Sequence, residues 1–491
     1  MATRDLKALL AELAALSAEV ERESQAPDGG LGAKDRSRGI SSQCRESARY
    51  VALRHHDLRP LQRKLARFGL SSLGRLESRV APTLTAVAAS LAILSGETKA
   101  MRHPTAKLFF AGERRLAAQA RAIFDSDHEA AVALLITCPT EAADDPNFMM
   151  ELARRGVEAV RINCAHDDPD AWGRMVGHLH AARGATGHAM KVFMDLAGPK
   201  IRTGEIRGDK HKRAHKGDLL AIAAVGELAA IGCDEPHFAI ECTLKDVFAA
   251  AKPGDRIFVD DGKLGAEVEA IRPWGLLARV TLAKEKGVHL KPEKALNFPD
   301  TRLEIPALTD EDREALRFVA EQADGIEFSF VQSAEDVRQL QEALAELRPE
   351  DWREKILVLK IETGRGLVHL PEIIVQAAGR QPTAIMIARG DLSVEIGFAR
   401  TAEIQEELLW LAEAACVPSI WATQVLEDLV KTGTPSRGEM TDAPMAARAE
   451  CVMLNKGPYL LEAIDQLRLL LGRMGDHQHK KFAKLRRLNS W

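Results

Sequence analysis

The sequence predicts an α/β fold: a (β/α)8 TIM barrel with an inserted all-β lid domain and an N-terminal helical region. Three observations carry that expectation. From Ala130 onward short apolar runs alternate with segments of helical period, and eight such runs can be counted. Between Thr203 and about Thr301 the alternation gives way to short Ile/Val-rich runs separated by turns such as Gly217-Asp218 and Gly254-Asp255. Polar and charged residues cluster at the C-terminal ends of the apolar runs, where a β/α barrel builds its site.

In chain order, residues 1–125 read as helical, starting with the leucine spacing of Leu6, Leu9, Leu10, Leu13 and Leu16. A polar gap from Ala26 to Ile40 follows. Tyr50 to Arg79 reads as paired helices broken near Gly69 and Gly74, with Arg49, Arg54, Arg59, Arg63, Arg67, Arg75 and Arg79 along their exposed faces. A solvated or inter-subunit face is the expected use of that stripe; nucleic acid is not an expected partner. Val80 to Leu94 is short, holds Pro82 and reads as a buried helix rather than a membrane span.

The barrel is expected over 126–202 and 303–475, with the lid at 203–302 and a basic tail at 476–491. Its strands are expected at Ala131–Thr137, Ala159–Asn163, Met190–Leu196, Gly325–Val331, Ile356–Glu362, Ala384–Ala388, Ser419–Thr423 and Cys451–Leu454. Helices are expected between them, among them Pro146–Gly156, Asp170–Arg183, Thr309–Gln322, Ala334–Leu347, Leu367–Ala378, Thr401–Cys416, Arg437–Ala449 and Leu460–Met474. Within the insertion, Asp260-Asp261-Gly262 has the chemistry of a hairpin turn.

Bulk properties narrow the class. With 491 residues, 46% apolar, 28% charged and a net charge of −4, the chain reads as an ordinary globular protein of several domains. Its seven cysteines form no C-x-x-C pair, which fits a reducing compartment. Glu12, Glu19, Glu21 and Glu23 exclude a signal or transit peptide from the first residues, so a cytoplasmic location is expected.

The chemistry concentrates between Lys360 and Glu395. Lys360 and Glu362, two residues apart at the end of an apolar strand, project from one face, and Asp391 follows the next apolar run after Arg389-Gly390. Two hard oxygen ligands beside a lysine suit a divalent cation, Mg2+ or Mn2+, and a phosphoryl group. On this pattern alone, any magnesium-dependent enolate or phosphate chemistry is open.

Seven segments resemble, in order and spacing, the motifs of the pyruvate kinase family. They are Val160-Arg-Ile-Asn-Cys-Ala-His166, Met194-Asp-Leu-Ala-Gly-Pro-Lys-Ile-Arg-Thr-Gly204, Val259-Asp-Asp-Gly262, Lys286-Gly-Val288, Lys360-Ile-Glu362, Ala388-Arg-Gly-Asp391 and Ala422-Thr-Gln424. The resemblance implies transfer of phosphate from phosphoenolpyruvate to ADP, giving pyruvate and ATP, with the β module closing over the barrel mouth. It implies that Glu362 and Asp391 hold the divalent metal and that Lys360 stabilises the phosphoryl group in flight. Arg161 would hold the substrate phosphate, and the N–H groups of Gly390 and Asp391 its carboxylate. Thr423 would relay the proton to the enolate carbon, while Asn163, His166, Arg202 and Lys286 would face the nucleotide and Asp260 and Asp261 would belong to the lid. A homo-oligomer is expected, and no membrane partner.

The departures from the family pattern carry expectations too. Asn163 and Asp195 of the family's monovalent-cation site remain, but Ala165 stands for its serine and Lys200 for its glutamate. A fixed ammonium at Lys200 implies that K+ is not required. The sequence ends one helix after the eighth strand, so sugar-phosphate activation through the family's C-terminal domain is not expected. Asn455-Lys-Gly-Pro-Tyr459 replaces the usual S-G-E-T-A, which bears on the nucleotide side. Residues 1–125 exceed the family's short N-terminal piece and are expected to offer an oligomerisation surface. Two other readings stand beside this one: a magnesium-dependent lyase or aldolase acting on a pyruvate- or oxaloacetate-like enolate, and a non-catalytic relative that senses phosphoenolpyruvate.

Overall fold

Eight parallel strands close into a barrel, each paired with its neighbours in chain order and the first with the last. They are β1 (Ala133–Thr137), β2 (Ala159–Asn163), β3 (Lys191–Asp195), β4 (Gly325–Phe328), β5 (Ile356–Ile361), β6 (Thr383–Ala388), β7 (Ser419–Ala422) and β8 (Cys451–Leu454). Closure sets Ala133 of β1 opposite Cys451 of β8. The computed structural model describes residues 2–26, 42–97, 101–125, 132–208, 213–232, 238–480 and 482–483. The start of the first expected strand at Ala131, the 126 boundary, most of the polar gap and most of the basic tail lie outside the described residues.

The strands are near-continuous apolar runs because both of their faces are covered. Alternation sends Leu134, Ile136, Val452 and Leu454 outward to the surrounding helices. Ala133, Leu135, Cys451 and Met453 face inward, and with them pack Ile123 and Phe124 from the end of the N-terminal helix Ala111–Phe124. Phe124 lies against Phe193 of β3 with ring centroids 6.2 Å apart. The last N-terminal helix therefore supplies the barrel with its floor.

The other N-terminal helices, including Ala2–Ser24, Ser42–Arg54, Arg59–Arg67 and Val80–Leu94, build a separate apolar cluster that docks on the barrel helix Phe398–Ala414 through Ala414, Trp410 and Leu411. The arginine stripe is a correction. Arg49 pairs with Glu21 and Glu46, Arg75 and Arg79 with Glu113, and Arg54 stacks over Trp410 at 4.8 Å. Arg49, Arg75 and Arg79 tie helices together because each faces an acidic partner across a helix contact; Arg54, Arg59, Arg63 and Arg67 stay exposed as expected, Arg54 while stacking on Trp410.

Several element ends also differ from expectation. β4 stops at Phe328 rather than Val331, since Phe330 takes φ 55°, and β7 stops at Ala422 because Thr423 takes φ 71°. Arg389-Gly390-Asp391 is not a strand end but the first turn of an unexpected helix, Arg389–Ile396. Pro371 divides the expected helix 367–378 into Gly364–Val368 and Leu370–Ala378, and Pro444 turns the second half of 437–449 into a 3-10 helix. The β module contains a seven-stranded sheet, and also a short helix at Asp246–Ala250. Its Asp260-Asp261-Gly262 turn has positive φ at all three residues and reaches the barrel mouth, where a Cβ on Gly262 would sit 3.6 Å from Val394.

Candidate active site

The C-terminal ends of β2, β3, β4 and β5 bring Arg161, Asp195, Glu327 and Lys360 together inside the barrel, with Glu362 just beyond the end of β5. All five are buried. Lys360 Nζ donates to Ser329 Oγ at 2.7 Å and to Asp195 Oδ1 at 3.1 Å, and lies 3.2 Å from Glu362 Oε1. Ser329 Oγ in turn donates to Asp195 Oδ1 at 2.9 Å. Arg161 donates Nε–H to Glu327 Oε2 at 2.9 Å, reaches Thr137 Oγ1 with Nη1 at 3.3 Å, and binds Asp195 through Nη2. Glu362 Oε2 accepts the backbone N–H of Phe330 at 2.7 Å, the same residue whose positive φ ends β4.

Electrostatics follow from the pairing. Burial pushes the Asp195 carboxyl up, but Arg161 and Lys360 outweigh it and hold it below its usual range. Burial also opposes the charges of Lys360 and Arg161, and their carboxylate partners prevail and raise both. Glu362 is raised by burial, opposed by Lys360 and reinforced by Asp391. Glu327 is pushed up to about 7 by burial, against the pull of Arg161.

Asp391 lies in the first turn of the helix that follows β6, close enough for its charge to be felt at Glu362. Its Oδ1 accepts from Lys200 Nζ at 3.1 Å. The structure thus sets Lys200 on Asp391, whereas Asp195 turns inward to Arg161 and Lys360, and Asn163 accepts the Ala165 N–H at 3.0 Å. The N–H groups of Gly390 and Asp391 belong to the open first turn of the helix, where anions are favoured. Gly390 is required there by contact: a Cβ would meet Thr423 Cγ2 at 2.7 Å.

Thr423 sits at the end of β7 on left-handed backbone. Arg389 braces that conformation by donating to the Ala422 carbonyl at 3.0 Å and the Thr423 carbonyl at 2.6 Å, while stacking over Trp421 and pairing with Asp442. Asn163, Arg161 and His166 share a cavity of about 390 Å³ with Lys456 and Lys431. His166 is lowered first by burial and then by Lys456 and Arg202. Arg202 reaches the Glu293 carbonyl at 3.3 Å, and Lys286 is exposed on the lid. Asp260 pairs with Lys263 at 2.8 Å.

Among the described residues no three His, Cys, Asp or Glu side chains gather as a metal cluster. Glu362 and Asp391 are two neighbouring carboxylates whose mutual repulsion a divalent cation would relieve. Two carboxylates completed by water and substrate oxygens suit Mg2+. Ser329, Glu327 and Arg389 were not anticipated from sequence. Glu327 on β4 and Ser329 just past its end are period-2 neighbours, a spacing that aims both at the Asp195 face once the strand's register is known.

A closed parallel barrel with a buried lysine-arginine-carboxylate cluster at its C-terminal mouth and a β module set beside it defines a barrel enzyme. The family profile described as "Pyruvate kinase, barrel domain" matches residues 133–464. The chain belongs to the pyruvate kinase family. It is similar to the pyruvate kinases of Eimeria tenella (33% identical over 316 residues, 63% of this chain and 56% of that protein) and Hypocrea jecorina (30% over 325 residues, 65% and 58%). That of Thermoplasma acidophilum is 30% identical over 336 residues, covering 67% of this chain and 55% of that protein. The chain thus spans a little over half the length of these relatives. Among the described residues no helix is long and apolar enough to cross a membrane.

Proposed function

We propose that this protein transfers the phosphoryl group of phosphoenolpyruvate to ADP and protonates the resulting enolate, yielding pyruvate and ATP. The observation that carries the reading is the single buried network joining Arg161, Asp195, Lys360 and Glu362, with Asp391 at its edge. Arg161, fixed at Nε, Nη1 and Nη2, grips the substrate phosphate. The first helical turn at Gly390 and Asp391 receives the carboxylate. Lys360 keeps its proton and offers positive charge to the phosphoryl group as it moves. Thr423, held by the Arg389 brace, relays a proton to the methylene carbon as the enolate collapses, giving up its hydroxyl proton while taking one from solvent water. Arg202, His166, Asn163 and Lys286 line the nucleotide's approach from the β2 loop and the lid. Glu362 and the second oxygen of Asp391 would hold Mg2+, which supplies charge neutralisation between the phosphates.

Lys200, at 3.1 Å from Asp391, sets a permanent cation beside the metal carboxylate, and activity is inferred to need no K+. Purified protein incubated with phosphoenolpyruvate, ADP and Mg2+ should release pyruvate and ATP in equal amounts. Pyruvate without ATP would refute kinase chemistry and favour a lyase or phosphatase; no product at all would favour a sensor. Activity should persist when tetramethylammonium replaces potassium, and a collapse to a few per cent would refute the inference about K+.

A further inference from the structure

Glu327 has no role in the mechanism above, yet it is completely buried on β4, beside Asp195 in register and within the charged network. One of its oxygens accepts the Arg161 Nε–H at 2.9 Å; the other, Oε1, is buried without a hydrogen-bond partner among the described residues. A buried carboxylate left half satisfied is costly to keep, so its position needs a reason. The geometry supplies one. Arg161 is the cation assigned to the substrate phosphate, and its Nε edge is the edge Glu327 occupies. Asp195 and Thr137 take one contact each from the two terminal nitrogens. Around the phosphate position, two cations (Arg161 and Lys360) therefore meet three buried carboxylates (Asp195, Glu327 and Glu362).

We propose that Glu327 is a positioning residue that fixes the Arg161 guanidinium by its Nε edge and, in its ionised form, weakens the hold of the site on the phosphate that must leave it. Fixing the Nε edge sets the terminal nitrogens at Thr137 and Asp195, beside the cavity that Arg161 and Thr137 line. The opposing charge keeps Arg161 from binding the phosphate so tightly that transfer is slowed, since binding shared by ground and transition states adds nothing to turnover. Asp195 cannot perform both tasks, because its oxygens already serve Lys360 and Ser329 as well as Arg161. This inference rests on the assignment of Arg161 to the substrate phosphate.

Two variants separate the tasks. Glu327→Gln keeps an acceptor for Nε–H and removes the charge; in buffer above about pH 8, where Glu327 of the parent is ionised, the KM for phosphoenolpyruvate should fall about fivefold, with the KM for ADP unchanged. Glu327→Ala removes both, and kcat/KM for phosphoenolpyruvate should fall by about tenfold or more as the guanidinium loses its anchor. If Glu327→Ala does not fold, as judged by circular dichroism, Glu327→Gln alone decides. A KM for phosphoenolpyruvate within about twofold of the parent in Glu327→Gln, or equal changes in both substrates' KM values, would overturn the proposal. Calorimetric titration with phosphoenolpyruvate in the absence of ADP reads the same affinity change without turnover. A parent protein that makes no ATP but whose Glu327→Gln variant binds phosphoenolpyruvate more tightly would refute the kinase reading and leave the role of Glu327 standing.

Discussion

Replacing Lys360 by Met tests the core of the site, because it removes one charge while roughly keeping volume. Lys360 Nζ lies 3.1 Å from Asp195 Oδ1 and 3.2 Å from Glu362 Oε1. At an effective dielectric of about 20, each contact is worth about 5 kcal/mol of attraction, partly offset by the burial of the ammonium. Breaking such a buried pair from one side costs roughly 3–5 kcal/mol of stability. The loss falls unevenly. Asp195 keeps Arg161 and Ser329, whereas Glu362 keeps only the Phe330 N–H against the repulsion of Asp391, whose own cation is Lys200. Mg2+ should therefore stabilise Lys360→Met more than it stabilises the parent, and turnover should fall by roughly 10³ or more because the phosphoryl group loses its cation. Urea unfolding with and without Mg2+, together with a coupled assay of pyruvate and ATP, measures both quantities. Turnover within about tenfold of the parent, or equal stabilisation of the two proteins by Mg2+, would refute the reasoning.

Gly390→Ala should cost about 10² in kcat by pushing Thr423 from its place, and a second change, Thr423→Ser, should restore most of it by removing the clashing Cγ2; steady-state kinetics of the single and double variants decide. Burial raises the Glu395 carboxyl to about 7 from the ordinary 4.5, against a hydrogen bond from Asn297 at the base of the lid. The folded protein then binds a proton that the unfolded chain has released, so this stabilising contribution is present below pH 4.5 and is lost as pH rises through 7. Glu395→Gln should gain about 3 kcal/mol relative to the parent across that window, read as a pH series of denaturant midpoints. Phe124→Ala, which empties the barrel floor, should cost roughly 3–5 kcal/mol in urea unfolding, and a cost below about 1 kcal/mol would show that the floor does not hold the barrel.

The barrel was legible because parallel strands covered on both faces are written as apolar runs such as Ile356–Leu359, and the lid because its Gly-Asp turns break that rhythm. Lys360 and Glu362 could be set on one face from spacing alone. Asp391 could not be placed so well: the backbone enters a helix directly after Ala388, and no cap residue marks the change. Glu327 and Ser329 escaped notice since an acid and a serine amid Ile326, Phe328 and Phe330 look like an ordinary alternating strand until closure turns one face inward. The arginines of the N-terminal helices misled for a related reason. Their partners, Glu113 and Trp410, lie far along the chain, and sequence periodicity does not report contacts at that range.

The floor formed by Ile123 and Phe124 also bears on how the chain reaches its native state. These two side chains emerge from the ribosome well before Cys451, which packs in the same cluster and belongs to the strand that closes the ring on β1. Loop closure over more than three hundred residues separates the plug from the last stave it seals, a long-range step that is slow by nature. Until then the apolar end of the helix Ala111–Phe124 has only part of its socket, with Phe193 already made and Cys451 and Met453 still to come.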